Sequence, residues 1–197
     1  MRFRGYDDYA DDPDVYPPCD DSILLIQSLD VVPGMSILEI GCGSGVVSIH
    51  AALEGAVVTA VDINPKAVEL TRVNARRMGA PIKEVLLSDL FAEVDGKFDR
   101  ILFNLPYLPV EEGEVDGMIS KAWAGGPDGM GPFPRLLKEC PAHLEDGGRL
   151  VVVVSSLMDR KALDDALRGL SVKVLGEESY FFEKLSVLEI SFARGVS

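Results

Sequence analysis

From residue 36 onward, short apolar runs alternate with longer stretches whose apolar positions recur at helical spacing. Segments 36–40, 57–61, 82–87, 100–103 and 150–155 are brief and rich in Val, Ile and Leu, and they predict buried strands. Helices are expected between and after them. Segment 45–53 is one, closed by Gly55. Asn64 caps the next and Pro65 opens it; its Ala67, Val68, Thr71, Ala75 and Met78 share one face, and Gly79 stops it. Segments 133–144 and 159–170 are the others. Segments 172–177 and 185–193 read as two closing strands with no helix between them, hence a hairpin whose last strand runs antiparallel. Upstream, 20–30 predicts a helix capped by Asp20 or Asp21, and Pro33-Gly34 a turn. The Asp- and Pro-rich stretch before about Pro18 is expected to be loop or mobile arm. The whole predicts an α/β fold, a seven-stranded, mainly parallel sheet with an antiparallel last strand and helices on both faces. There is no internal repeat, low-complexity segment or linker, so 1–197 is expected to be a single domain with 1–18 as its N-terminal arm.

Composition narrows the class. Of the 197 residues, 47% are hydrophobic and 26% charged, as in a soluble globular chain. The longest apolar run, around 150–154, is far too short to cross a bilayer, and the first twelve residues hold no apolar signal region. A cytoplasmic protein with no membrane association is the expectation. Cys19, Cys42 and Cys140 are isolated, and His50 and His143 are the only histidines, so neither a disulfide framework nor a metal site is expected. The net charge of -13 favours solubility and argues against a phosphate-backbone partner unless one face is locally basic.

The strongest local signal is Ile37-Leu38-Glu39-Ile40-Gly41-Cys42-Gly43-Ser44-Gly45, a buried strand running into a glycine loop and then a helix. Glycine permits close backbone approach to a ligand. The second strand ends in Asp62, at the spacing of about twenty residues where a carboxylate accepts hydrogen bonds from ribose hydroxyls. Two cofactor classes fit this frame. A dinucleotide site calls for GxGxxG with a pyrophosphate on the helix N-terminus. Here the third position is Val46, the spacing is GxGxG, and Glu39 precedes it. An acid there repels a pyrophosphate but suits the sulfonium and ammonium end of S-adenosyl-L-methionine. After the third strand, Asp89 is either a turn cap or an acceptor for an adenine amino group, with Leu90 packed on the ring.

The fourth strand ends in Asn104-Leu105-Pro106-Tyr107. In open α/β sheets ligands lie beyond the carboxyl ends of the strands, which aims Asn104 at the reacting group. An amide nitrogen is a poor nucleophile because its lone pair is delocalised. Its two N–H groups must be held so that the lone pair faces a methyl carbon. The Asn104 side-chain oxygen and the Leu105 carbonyl suit that task, since a residue before proline is held extended. Tyr107 is a candidate to stack on the planar group. Read bare, the four residues are also an ordinary strand-ending turn.

These residues resemble the HemK-like class I methyltransferases, most closely the archaeal and eukaryotic branch that methylates a glutamine of a translation release factor. Tyr16-Pro17-Pro18-Cys19-Asp20-Asp21-Ser22 is similar to that branch's Y-x-P-x-x-D-[ST] segment, 38–45 to its cofactor loop, 104–107 to its NPPY and Trp123-Ala124-Gly125-Gly126-Pro127-Asp128-Gly129 to its W-A-G-G-x-x-G segment. The resemblance implies a Rossmann-like methyltransferase domain in which Ser22, Glu39, Gly41, Gly43, Asp62, Asp89 and Leu90 contact S-adenosyl-L-methionine. It implies that Asn104 meets cofactor and substrate, that Pro106 and Tyr107 shape the substrate slot, and that Trp123 joins it; alone, a lone Trp beside glycines reads as packing. Leu105 departs from the family's first proline, which leaves the slot's shape open. The branch commonly works with a small zinc-binding activator subunit that pairs with a sheet edge, and a mean hydropathy of +0.17 in so acidic a chain is compatible with a covered patch. The acidic loop Glu111, Glu112, Glu114, Asp116 reads as solvated surface or as a contact for a basic protein partner. Adenine N6-methylation of a nucleic acid, a non-catalytic scaffold, an NAD-linked oxidoreductase and a lysine side reaction stand as alternatives.

Overall fold

A computed structural model describes residues 6, 8–111 and 117–192. The elements in order are α1 (Asp20–Ser28), β1 (Ser36–Ile40), α2 (Val46–Leu53), β2 (Val57–Asp62), α3 (Pro65–Met78), β3 (Glu84–Leu87), β4 (Phe98–Asn104), α4 (Phe133–Glu139), β5 (Leu144–Ser155), α5 (Arg160–Ala166), β6 (Ser171–Ser179) and β7 (Lys184–Ser191). The seven strands form one sheet in the order β3-β2-β1-β4-β5-β7-β6. Strands β1 to β5 pair in parallel. β7 slots antiparallel between β5 and β6.

Alternate residues feed two cores, as the two-residue period of a strand requires. On one face Leu38 and Ile40 of β1, Ile101 and Phe103 of β4 and Leu150 and Val152 of β5 pack with Phe133 and Leu136 of α4. On the other, Ile37, Leu102, Val151 and Val153 pack with Leu24 and Leu25 of α1 and Val46 and Val47 of α2. Burial on both faces is why β5 carries an unbroken Val151–Val154 run rather than an alternating one.

Several boundaries differ from expectation. The helix anticipated over 133–144 gives way after Glu139 to a 3-10 turn, Cys140–His143. Pro141 has no N–H to continue the α-helical ladder. β5 starts earlier than expected, at Leu144, through an irregularity opposite Phe98/Arg100. α5 is capped by the Asp159 side chain, which accepts from Ala162 N at 2.7 Å, and ends at Ala166 rather than near 170. Asn64 caps α3 as expected, accepting from Lys66 N at 2.9 Å.

Over residues 8–19 the N-terminal stretch is loop, but it is tied down. The wholly buried Asn74 of α3 accepts from Ala10 N at 2.7 Å, and its amide donates to Ala10 O and to Ser44 O. Asn64 Nδ2 donates to Asp14 O at 2.8 Å. Val15 packs on Ala67 and Leu70. No helix among the described residues is long and apolar enough to cross a membrane.

Candidate active site

The carboxyl ends of β1, β2, β3 and β4 converge on one cleft of about 280 Å³. Its floor is the loop between β1 and α2. Cys42 N donates to Val61 O and Gly45 N to Cys42 O, which folds the loop back over β2. Gly41 has φ +68°, and a Cβ there would stand 2.9 Å from the Phe103 ring, so only glycine lets the loop lie this close to β4.

Two carboxylates are set into that floor. Glu39 is 3% exposed, and its Oε2 accepts from Ser48 N at 2.8 Å and from the Ser48 hydroxyl. Burial pushes its carboxyl up to about 8; the Ser48 bonds oppose the rise and the charge of Asp62 adds to it. Asp62 Oδ2 accepts from Gly43 N at 2.9 Å and Oδ1 from Asn64 N at 2.8 Å. Burial raises the Asp62 carboxyl as well, against those backbone bonds. A pair of buried carboxyls with raised affinity for protons is a site waiting for positive charge and for hydroxyl donors.

The structure brings Ser22, Glu39, Gly41, Gly43, Asp62, Asp89, Leu90, Asn104 and Pro106 to the wall of this cleft. Asn104 stands at the end of β4, and its Oδ1 is buried with no hydrogen-bond partner among the described residues. A buried amide oxygen left unmatched costs about 1–3 kcal/mol. Such an atom on a cleft wall calls for a donor from a ligand. Leu90 is a non-glycine residue at φ 52° and only 5% exposed, a strained backbone pinned by Ser88 Oγ donating to Leu90 O at 3.0 Å. Asp89 departs from a free acceptor: Arg135 of α4 donates to both of its oxygens. Its pair is solvent-exposed, and the carboxylate is shared between the cleft and that partner.

Three expected substrate residues do not line the cleft. The Leu105 side chain is buried in the core beside α4, which leaves only its backbone for the slot. Tyr107 donates its hydroxyl to Asp21 Oδ2 at 3.3 Å, and burial, with the charges of Asp21 and Glu183, raises its pKa. Trp123 bonds through its backbone: Leu108 N donates to Trp123 O, and Gly125 N to Leu108 O, so the 123–126 segment is strapped alongside the motif. A Cβ on Gly125 would meet Pro106 O at 2.6 Å, which explains why this strap carries glycine. Of the acidic loop, Glu111 is exposed, whereas Glu112, Glu114 and Asp116 lie outside the described residues.

Arg135, Asn74 and Ile63 were missed by sequence reasoning, and Asp21, expected with Asp20 as a helix cap, lies inside the first turn of α1, whose N-cap is Cys19 with no side-chain bond. Asp21 Oδ1 accepts from Ser22 N and Ser22 Oγ while Oδ2 takes the Tyr107 hydroxyl, so one buried side chain ties the cofactor-side helix to the motif loop. An Asp directly before Ser22 at the predicted start of a helix was the available signal. Ile63 lines the cleft next to Asp62. Among the described residues no group of three or more His, Cys, Asp or Glu side chains is placed to hold a metal ion.

Comparison with known proteins places this geometry in context. The family model described as the methyltransferase small domain matches residues 20–181. A Methanocaldococcus jannaschii protein with the provisional name protein N5-glutamine methyltransferase is 42% identical over 180 residues, 89% of this chain and 91% of that one. The release factor glutamine methyltransferase of Cereibacter sphaeroides is 30% identical over 145 residues, 69% of this chain and 52% of its own length. Among solved structures, the E. cuniculi Mtq2-Trm112 complex, described as responsible for methylating the eRF1 translation termination factor, superposes with a TM-score of 0.69 at 19% identity. That match covers 91% of this chain and 99% of that one, and at this identity it speaks to the fold alone.

Proposed function

The chain belongs to the methyltransferase small-domain family, and from that premise we propose that it methylates the side-chain amide nitrogen of a glutamine in a translation release factor, using S-adenosylmethionine. One observation carries the reading. The unmatched Asn104 Oδ1 sits at the end of β4, on the wall of the same cleft as Glu39 and Asp62. The names of the relatives agree with it.

The residues fit the cofactor by their own chemistry. Glu39, once ionised, balances a cationic ligand, and Asp62 accepts from a ribose diol. Ile63 and the strained Leu90 supply apolar contact for a base, and Asp89 offers an oxygen to its amino group. S-adenosylmethionine supplies, when bound, a methyl group on a positively charged sulfur. What the protein must add is orientation. Asn104 Oδ1 accepts one N–H of the substrate amide and the Leu105 carbonyl accepts the other, which turns the nitrogen lone pair away from its own carbonyl. Fixed geometry of this kind supplies much of a rate enhancement without a strong base, and the amide proton leaves to solvent after transfer. Pro106 holds the Leu105 backbone extended, so an adjacent leucine serves in place of a second proline.

The same proposal covers the rest of the assembly. One domain over 1–197 carries the activity in the cytoplasm. A small zinc-binding activator subunit pairs with β3, an edge strand whose Leu87 is 52% exposed. The superposed fold is described in complex with a second protein, Trm112, and a partner subunit here agrees with that. Trp123 and Tyr107 frame the slot from the motif loop rather than from the cofactor cleft.

The test offers tritiated S-adenosylmethionine to the enzyme with release factor, RNA and DNA in parallel. Label on a single glutamine of the release factor is expected. Label confined to nucleic acid would assign adenine as the acceptor instead.

A further inference from the structure

Phe181 and Phe182 are 91% and 84% exposed, far above the other large apolar side chains among the described residues. They occupy the tip of the β6–β7 hairpin, in a tight turn closed by Tyr180 N donating to Glu183 O at 2.7 Å. Turn centres are the province of Gly, Asn, Asp and Pro. Two adjacent phenylalanines there break the local rule, and among the described residues neither ring is buried. Departures of this kind gather at functional sites.

The pair is built as a rigid feature. The two rings meet edge to face with centroids 4.5 Å apart. The base of the turn is fastened to the end of β5: Ser155 Oγ donates to Glu183 Oε1 at 2.6 Å, Lys184 N to Ser156 Oγ and Ser156 N to Lys184 O. β5 is the immediate neighbour of β4, with Val153 opposite Asn104. The aromatic tip therefore rises on the same, carboxyl-end rim of the sheet as Asn104, and the charge of Glu183 already reaches Tyr107. The β3 edge lies at the far side of the sheet, with five strands between it and β6. An activator on β3 would leave this tip free.

We infer that Phe181 and Phe182 form an aromatic knob that docks the protein substrate beside the methyl-transfer slot, entering an apolar pocket flanked by basic side chains. Lys184 pairs with Glu177 at 2.7 Å, which leaves Glu178 and Asp20 beside Tyr180 and Glu183 at the base of the turn; with a net charge of -13, these set the sign of the surface the knob fits. This rests on the proposed protein-glutamine activity.

The experiment compares the Phe181→Ala/Phe182→Ala chain with the unaltered one on intact release factor, and measures S-adenosylhomocysteine affinity by calorimetry. With both rings in solvent, their loss leaves the fold and cofactor affinity unchanged. KM for release factor is expected to rise at least about tenfold, the scale of losing aromatic anchors at an interface centre, with kcat within about twofold. Phe181→Leu/Phe182→Leu should recover part of that loss. An unchanged KM overturns the docking role, and so does a fall in cofactor affinity of the same size, which marks a structural effect. An unaltered chain that leaves release factor unlabelled instead overturns the functional reading, and the knob's assigned occupant with it.

Discussion

Replacing Glu39 by Gln should stabilise the ligand-free protein while weakening its hold on S-adenosylmethionine, and the size of the gain should depend on pH. The carboxyl is fully enclosed, and burial lifts its pKa from 4.5 to about 8. At about 1.4 kcal/mol per pKa unit, that rise withholds on the order of 5 kcal/mol from folding once the group must ionise. The direction follows from proton counts. Below pH 4.5 the carboxyl is protonated in folded and unfolded chains alike. Between 4.5 and 8 the folded chain keeps a proton that the unfolded chain has released, so stability falls as pH rises, and above 8 the loss is complete. Glutamine never ionises, and its amide oxygen can still accept from Ser48. The variant should therefore match the parent near pH 4 and exceed it by several kcal/mol at pH 9 in urea denaturation without ligand. Calorimetry should show the opposite sign: at least about tenfold weaker affinity for S-adenosylmethionine, from the lost charge-assisted contact. The parent's own affinity should climb with pH up to about 8, as ligand binding stops having to expel the Glu39 proton. Equal stabilities at pH 9, or undiminished affinity, would refute the claim that Glu39 is kept for a cationic ligand.

Asn104→Ala should lower turnover at least about a hundredfold, the scale of one oriented polar contact in a transition state, with cofactor affinity by calorimetry within a few-fold. Near-normal turnover would remove Asn104 from the chemistry. Gly125→Ala puts a Cβ 2.6 Å from Pro106 O and 2.7 Å from Gly129 O, so thermal melting should show a loss of about 1–3 kcal/mol and turnover should fall as the motif loop shifts. Asn74→Leu removes the bonds to Ala10 and Ser44, and limited proteolysis should then cut within 8–19 well before the domain core; an unchanged cleavage pattern would show that the arm is held by other contacts.

The fold was legible because its signals are local. A strand buried on both faces must read as an apolar run, and a helix on a sheet must show one apolar stripe, so β1, β2, α3 and the closing hairpin could be placed from residue type alone. Glu39, Asp62 and Asn104 were legible for a related reason: Asp62 and Asn104 end their strands and Glu39 stands one residue before the end of β1, and the carboxyl ends of neighbouring parallel strands necessarily meet. What stayed hidden depends on contacts between distant residues. Nothing near Asp89 announces Arg135, 46 positions away, and nothing near Tyr107 announces Asp21. The arm looked mobile because its anchors, Asn64 and Asn74, belong to α3, where one reads as a cap and the other as an ordinary helix residue. Pro141 was visible throughout, but the apolar positions around it carried the helical pattern past the point where its missing N–H ends the ladder.

The site is also where the chain departs most from what stability alone would select. Within one cleft stand an ionisable group enclosed to the point of raising its pKa to about 8, a buried amide oxygen with no partner among the described residues, and a leucine in left-handed backbone geometry. Each is unfavourable by an amount comparable to a sizeable part of a domain's net stability. Random imperfections would scatter over the surface. Three that share a wall with the carboxyl ends of four strands are better explained by a common cause, a ligand that supplies the missing cation, the missing N–H donor and the missing contact at once. That account ties the three together experimentally: repairing any one of them should raise the stability of the empty protein and lower its affinity or its rate. The aromatic tip of the β6–β7 hairpin fits the same logic at longer range, exposing apolar surface that the proposed protein substrate would cover on arriving at this rim.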